Sequence, residues 1–181
     1  MGISFSLNDL AKLTLIASDA AYFSIRYPVP INAPLAPLSD TPKYGIGPQY
    51  SVFLDNFIKA TQGGIDAIGF KYAIYKNTSS NEVIVTFGGT DGHDPVDWTG
   101  NTRLGWDQWK EGRAQVFADL RELVNVDTKV IFTGQSLGGG LAQYAAYEWV
   151  QVKLTARSTD EEFLDGFNKA NVNLTTFNAF G

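Results

Sequence analysis

Helix-like and strand-like runs succeed one another along the chain, and their periods predict most of its elements. From Leu7 to Phe23 the apolar positions are Leu7, Leu10, Leu13, Leu15, Ile16, Ala20 and Phe23, close to helical spacing, with Ser6 or Asn8 available as a cap. An amphipathic helix is predicted there. Six of the seven prolines then fall between Pro28 and Pro48, where missing amide donors and restricted residues before each proline exclude helix and central strand. Val29, Ile31, Leu35 and Leu38 make residues 24–48 too aliphatic for a free linker, so they are expected to wrap over the surface of the same domain. Tyr50 to Thr61 reads as another short helix. Phe70 to Tyr75 and Val83 to Phe87 are aromatic and β-branched runs joined by a polar stretch, Asn77 to Asn81, which predicts a hairpin. Asp107 to Val124 places Trp109, Val116, Phe117, Leu120, Leu123 and Val124 at helical intervals, and the apolar run Val130 to Thr133 follows. A helical run from Leu141 to about Leu154 and a strand-like segment from Val172 to Phe177 complete the pattern.

A helix feeding a short apolar strand is the repeating unit of a parallel sheet with helices on its faces, so the fold class is α/β. A length of 181 residues suits one domain spanning 1–181. Charge narrows the partners: 14 basic against 19 acidic residues leave a net charge of −5 with no basic cluster, which argues against nucleic acid. The chain has no cysteine and one histidine, so disulfides, thiolate metal sites, multi-histidine metal sites and a cysteine nucleophile are all excluded. No metal or other cofactor is expected. The N-terminus lacks a basic region followed by an apolar core and cleavage site.

Chemistry concentrates in Gly134-Gln135-Ser136-Leu137-Gly138, a G-x-S-x-G stretch. In this pattern a strand runs into a helix through a turn so tight that the serine is strained and its hydroxyl exposed, and glycine two residues to either side is what sterics permit. The context fits: apolar strand residues precede Gly134, and the small residues Gly139, Gly140, Ala142, Ala145 and Ala146 let the following helix lie close to a sheet. A phosphate-cradling loop is the competing reading, but there is no Walker lysine and no G-x-G-x-x-G order. The helix start would aim the Leu137 amide at negative charge developing on an attacked carbonyl, which is half an oxyanion hole. The other half is sought in a loop after an earlier strand, and Phe87-Gly88-Gly89-Thr90 is placed for it.

Val83 to Thr90, Asp97-Trp98 with Asn101, Gly134 to Gly140, and Thr175-Thr176-Phe177-Asn178-Ala179 resemble the ordered motifs of the class 3 lipases. These are α/β-hydrolases related to fungal triacylglycerol lipases. The resemblance runs from about Gly69 to Gly181. It implies an α/β-hydrolase sheet, mostly parallel with flanking helices. It also implies Ser136 as nucleophile, with the Leu137 amide and the Thr90 amide and hydroxyl as oxyanion donors. Gly134 and Gly138 then form the nucleophile elbow, and Asn101 supports the oxyanion threonine. Residues 91–106 fall where the family carries a lid, so Trp98, Leu104, Trp106 and Trp109 are candidates to meet a lipid surface.

The chain departs from the family pattern at Gln135 and Gly88, where histidine and arginine are common, and more seriously in its base. A serine nucleophile needs a histidine oriented by a carboxylate, and in this fold both follow the serine. The single histidine, His93, precedes Ser136 and reads as a solvated loop residue, while Asp160 and Asp165 sit in a charged stretch. The expectation is an N-terminal part of a larger hydrolase, incomplete on its C-terminal side, whose acid and histidine come from a C-terminal segment or a second chain. The expected activity is hydrolysis of lipid carboxylic esters, with no more than a trace of it in this portion alone. The competing class is a non-catalytic, hydrolase-like scaffold that binds a lipid or protein. Export without an N-terminal signal is favoured over a cytoplasmic location.

Overall fold

Where the chain alternates aromatic and β-branched residues it builds one sheet, and where apolar residues recur every three or four positions it builds two helices on that sheet. A computed structural model describes residues 31–34, 56–89, 105–125, 127–155 and 172–177. The predicted helix from Leu7 to Phe23, most of the proline-rich segment, His93, Trp98, Leu104, Asp160 and Asp165 lie outside them. In chain order the elements are β1 (Phe57–Ile65), a short 3-10 turn (Asp66–Ile68), β2 (Phe70–Asn77), β3 (Glu82–Phe87), α1 (Trp106–Leu123), β4 (Lys129–Gln135), α2 (Leu137–Thr155) and β5 (Val172–Phe177). No helix among the described residues is long and apolar enough to cross a membrane.

The strands lie side by side in sequence order. The predicted hairpin forms, with β2 antiparallel to β3 and Ile74 opposite Val85. From β3 onward the pairing is parallel: Val85 lies beside Phe132 and Phe132 beside Leu174. The sheet is therefore mixed, with antiparallel pairing confined to β1, β2 and β3. Its parallel half carries the G-x-S-x-G turn.

The helix predicted over Tyr50–Thr61 is corrected in its described part, because Phe57 to Thr61 belong to strand β1, antiparallel to β2. A bulge explains why the strand period was hidden. The register slips between Lys59 and Thr61, so Lys59 lies opposite Tyr75 but Thr61 lies opposite Ile74, on the other face. Two-residue alternation is broken in mid-strand, and one of its inward positions is a lysine. Lys59 is fully buried and its ammonium donates to the Gln62 side-chain carbonyl; burial holds its pKa below the usual lysine range.

Both helices pack on one face of the sheet. Tyr72, Ile74, Val85, Phe87, Val130 and Phe132 meet Trp109, Val116 and Leu120 of α1 and Leu141, Ala145 and Trp149 of α2. On the opposite face Ala73, Tyr75, Ile84, Thr86, Ile131 and Thr133 are also buried, as expected for central strands covered on both sides. An aromatic chain ties the layers together: Phe87 meets Trp109 edge-on at 6.0 Å, Trp109 meets Phe117 at 5.4 Å, and Phe117 meets Trp149 at 5.2 Å. Such pairs each add about 0.5–1.5 kcal/mol beyond area burial. Where β1 and β2 cross α1, Tyr72 donates to Asp119 at 2.6 Å and Thr61 donates to the same oxygen at 3.3 Å. At the end of the sheet away from the turn, Thr128 shares its hydroxyl proton between Asn81 and Asn125, and Lys129 pairs with Glu82 at 3.1 Å. Those contacts fix where β3 and β4 begin, so the register of their far ends follows.

Candidate active site

Strand β4 ends at Gln135 and helix α2 begins at Leu137, leaving one residue for the reversal. That residue is Ser136, and its φ of 54° is left-handed, one of two positive values at non-glycine residues among those described. A serine in this region costs roughly 1 kcal/mol or more, so the surrounding packing must hold it there. The Ser136 carbonyl accepts the Gly139 amide at 2.9 Å and the Gly140 amide at 3.3 Å, which starts the helix on Ser136 itself. Leu137 and Gly138 are thus in the first turn, where amides have no acceptor inside the helix and the dipole favours negative charge. Ser136 is half-buried, while Leu137 is 1% exposed.

The two glycines of the motif are required by close approach of backbone to backbone. A Cβ on Gly134 would lie 2.1 Å from the Gly138 carbonyl oxygen, because the strand's last turn is crossed by the helix's first. A Cβ on Gly138 would lie 2.3 Å from the Phe87 carbonyl oxygen. The second contact matters most for chemistry. It sets the end of β3, and the Gly88-Gly89 backbone that continues it, directly against the start of α2. Phe87 is also in register with Gly134 across the parallel pair, and the Gly88 amide is tied to the Lys71 carbonyl at 3.0 Å. The structure therefore brings together Gly134, Ser136, Leu137, Gly138 and the Phe87-Gly88 backbone. Thr90 and Asn101 lie outside the described residues.

Helix α2 begins at Leu137 and extends to Thr155, so it starts four residues before the apolar run at Leu141 from which it was predicted. The glycines hid its first turn. Gly138 to Ala142, Ala145 and Ala146 are all buried, consistent with small residues letting the helix lie on the sheet. Trp109 is corrected as a lipid-facing residue: it is wholly buried, between Phe87 and Phe117. Trp106 is 38% exposed and meets Tyr144 edge-on at 5.2 Å. One residue that the sequence did not single out also touches the site. Gly105 caps α1 at φ 78°, and its Cα side faces the Leu137 side chain; a lone glycine ahead of a helix reads in sequence only as punctuation. Among the described residues no group of three or more histidine, aspartate or glutamate side chains could hold a metal ion.

The family model for lipase (class 3) matches residues 70–178, from the first residue of β2 to just past β5. The chain belongs to the class 3 lipase family. Solved structures of similar fold include MDLA from Penicillium cyclopium, in a variant form, with a TM-score of 0.62 and 15% identity over 96% of this chain and 72% of that one. The mono- and diacylglycerol lipase from Aspergillus oryzae gives a TM-score of 0.62 and 17% identity over 96% of this chain and 71% of that one. The native Rhizomucor miehei lipase propeptide complex gives 0.60 and 14% over 97% of this chain, which spans 53% of that chain's length. A search of curated proteins returned no match. At such identities the likeness defines the fold, which is the α/β-hydrolase fold, here with its strands β1 to β5 and helices α1 and α2 described.

Proposed function

We propose that this class 3 lipase cleaves carboxylic esters of lipids through an acyl-serine intermediate on Ser136. The observation that carries the reading is the strained Ser136 turn, wedged by Gly134 and Gly138 against the end of β3 in the position of the family's motif. Ser136 Oγ attacks the ester carbonyl carbon and forms the acyl bond. The negative charge moves onto the carbonyl oxygen, where the Leu137 amide and the Thr90 amide and hydroxyl receive it, with Asn101 holding the threonine. The alcohol leaves with a proton, and water then releases the acid. A histidine and a carboxylate from a C-terminal segment or a second chain manage those protons. No cofactor takes part. Trp106, exposed on α1 beside Tyr144, supports transient contact with a lipid surface.

The test uses the full-length protein with a fluorophosphonate probe and a p-nitrophenyl ester. Labelling at Ser136 and a loss of turnover of at least about 10³-fold in Ser136→Ala are expected. Wild-type protein that neither labels nor turns over, while folded, moves the assignment to the non-catalytic scaffold.

A further inference from the structure

Gly105 is the residue on which α1 starts: its carbonyl accepts the Trp109 amide at 2.9 Å, and it is buried. A Cβ built on it would stand 2.8 Å from Leu137 Cδ1 and 3.3 Å from Leu141 Cδ2, so two side chains of α2 rest on its bare backbone. Leu137 directly follows the strained Ser136 and is almost wholly enclosed. Leu137 Cδ1 is the end of a side chain, and in a close-packed interior a rotamer change meets other atoms, so part of the push reaches its own backbone. For most residues that is a matter of stability. For Leu137 the backbone group displaced is an amide in the first turn of α2, beside Ser136, with no acceptor inside the helix.

We propose that Gly105 is a positioning residue for the ester-hydrolysing site: by lacking a side chain it seats Leu137 so that the Leu137 amide points at the oxyanion. This rests on the acyl-serine reading above. Donors of this kind act over a narrow range, about 2.7–3.1 Å from the developing oxyanion. A Cβ at Gly105 has to open its 2.8 Å contact by 0.2 Å to reach 3.0 Å and by 0.6 Å to reach ordinary contact at 3.4 Å, shifts that bracket the roughly 0.4 Å width of that range. The interaction strengthens as charge develops, so its loss appears in turnover and not in substrate binding.

Glycine at φ 78° also has a conformational role, and two substitutions separate the roles. Alanine adds a Cβ and disfavours the left-handed region; asparagine adds the same Cβ but tolerates that region. On the full-length protein, the measurements are the second-order rate of reaction with an alkyl p-nitrophenyl phosphonate, kcat and KM on a p-nitrophenyl ester, and thermal unfolding. Gly105→Ala and Gly105→Asn are both expected to slow phosphonylation and kcat about tenfold or more, with KM changed by less than about twofold. In a Leu137→Ala background, which removes the contacting methyl, Gly105→Asn is expected to have almost no further effect. A single Gly105→Asn variant that does not fold, beside a double variant that does, counts against the proposal, because the contact would then serve stability.

Gly105→Asn at the wild-type rate beside a slow Gly105→Ala would overturn the proposal, since conformation alone would then explain the glycine. So would a slowing that persists in the Leu137→Ala background, a fall in melting temperature with unchanged phosphonylation, or failure of both the single and the double variant to fold. Wild-type protein inert to the phosphonate would instead overturn the acyl-serine reading, and this inference with it.

Discussion

Replacing Gly138 by alanine places a methyl carbon 2.3 Å from the Phe87 carbonyl oxygen, 2.9 Å from its carbonyl carbon and 3.0 Å from the Gly88 carbonyl carbon. All three are backbone atoms, so no rotamer change relieves the overlap. The end of β3 and the start of α2 must separate by about 0.7 Å merely to bring the closest contact to 3.0 Å. Overpacking of this kind costs about 1–3 kcal/mol of stability. Its kinetic cost is expected to be larger. The same movement widens the gap between the two backbone segments offered as oxyanion donors, and a misplacement near 1 Å lowers rates by about 10²-fold. The assay is kcat/KM and phosphonylation of the full-length protein, with thermal unfolding alongside. Val83→Ala serves as control. Val83 is buried near the start of β3, beside Val130 at the end of the sheet away from the turn, so its truncation opens the core without touching the β3–α2 junction. The control should lose stability while the folded protein keeps its rate. A folded Gly138→Ala protein reacting at the wild-type rate would refute the reasoning, because the β3–α2 spacing would then have no part in catalysis.

Burial and the Asp119 carboxylate both raise the Tyr72 phenol above its ordinary pKa of about 10, and burial does the same to Tyr75. The sign follows from linkage: the stabilisation is complete below pH ~10 and is lost as pH rises above it, where unfolded tyrosine ionises first. Tyr72→Phe should cost about 1–3 kcal/mol at neutral pH and make the decline in melting temperature between pH 9 and about 11 shallower. An unchanged alkaline slope would remove Tyr72 as its source. The two tryptophans at the start of α1 should separate cleanly in urea unfolding. Trp109→Ala is expected to cost about 3–5 kcal/mol and Trp106→Ala less than about 1 kcal/mol, since only the first is enclosed.

The chain's local patterns already define much of this protein. Where a segment's partners are its neighbours in sequence, period and turn chemistry suffice: the β2–β3 hairpin, α1 within a residue at each end, and β5 from Val172 to Phe177 are legible without a structure. So is the Ser136 turn, because the steric demands of reversing from strand to helix are written into five consecutive residues. The failures fall where a distant contact overrides the local signal. The bulge at Ala60 turns Lys59 and Thr61 to opposite faces, so the two-residue alternation of β1 changes phase in mid-strand and the strand is recognised through its pairing with β2. Trp109 and Trp106 are three residues apart with the same chemistry, and only the packing of Phe87 and Phe117 makes one core and leaves the other at the surface. Gly105 and Gly138 are alike in sequence as glycines near helix starts. What distinguishes them is which backbone or side chain passes within 3 Å, and that is decided when β3, α1 and α2 close around one end of the sheet. Hydrophobic periodicity measures how far each residue prefers to be out of water, whereas a site depends on which particular atoms meet once all those preferences are satisfied together.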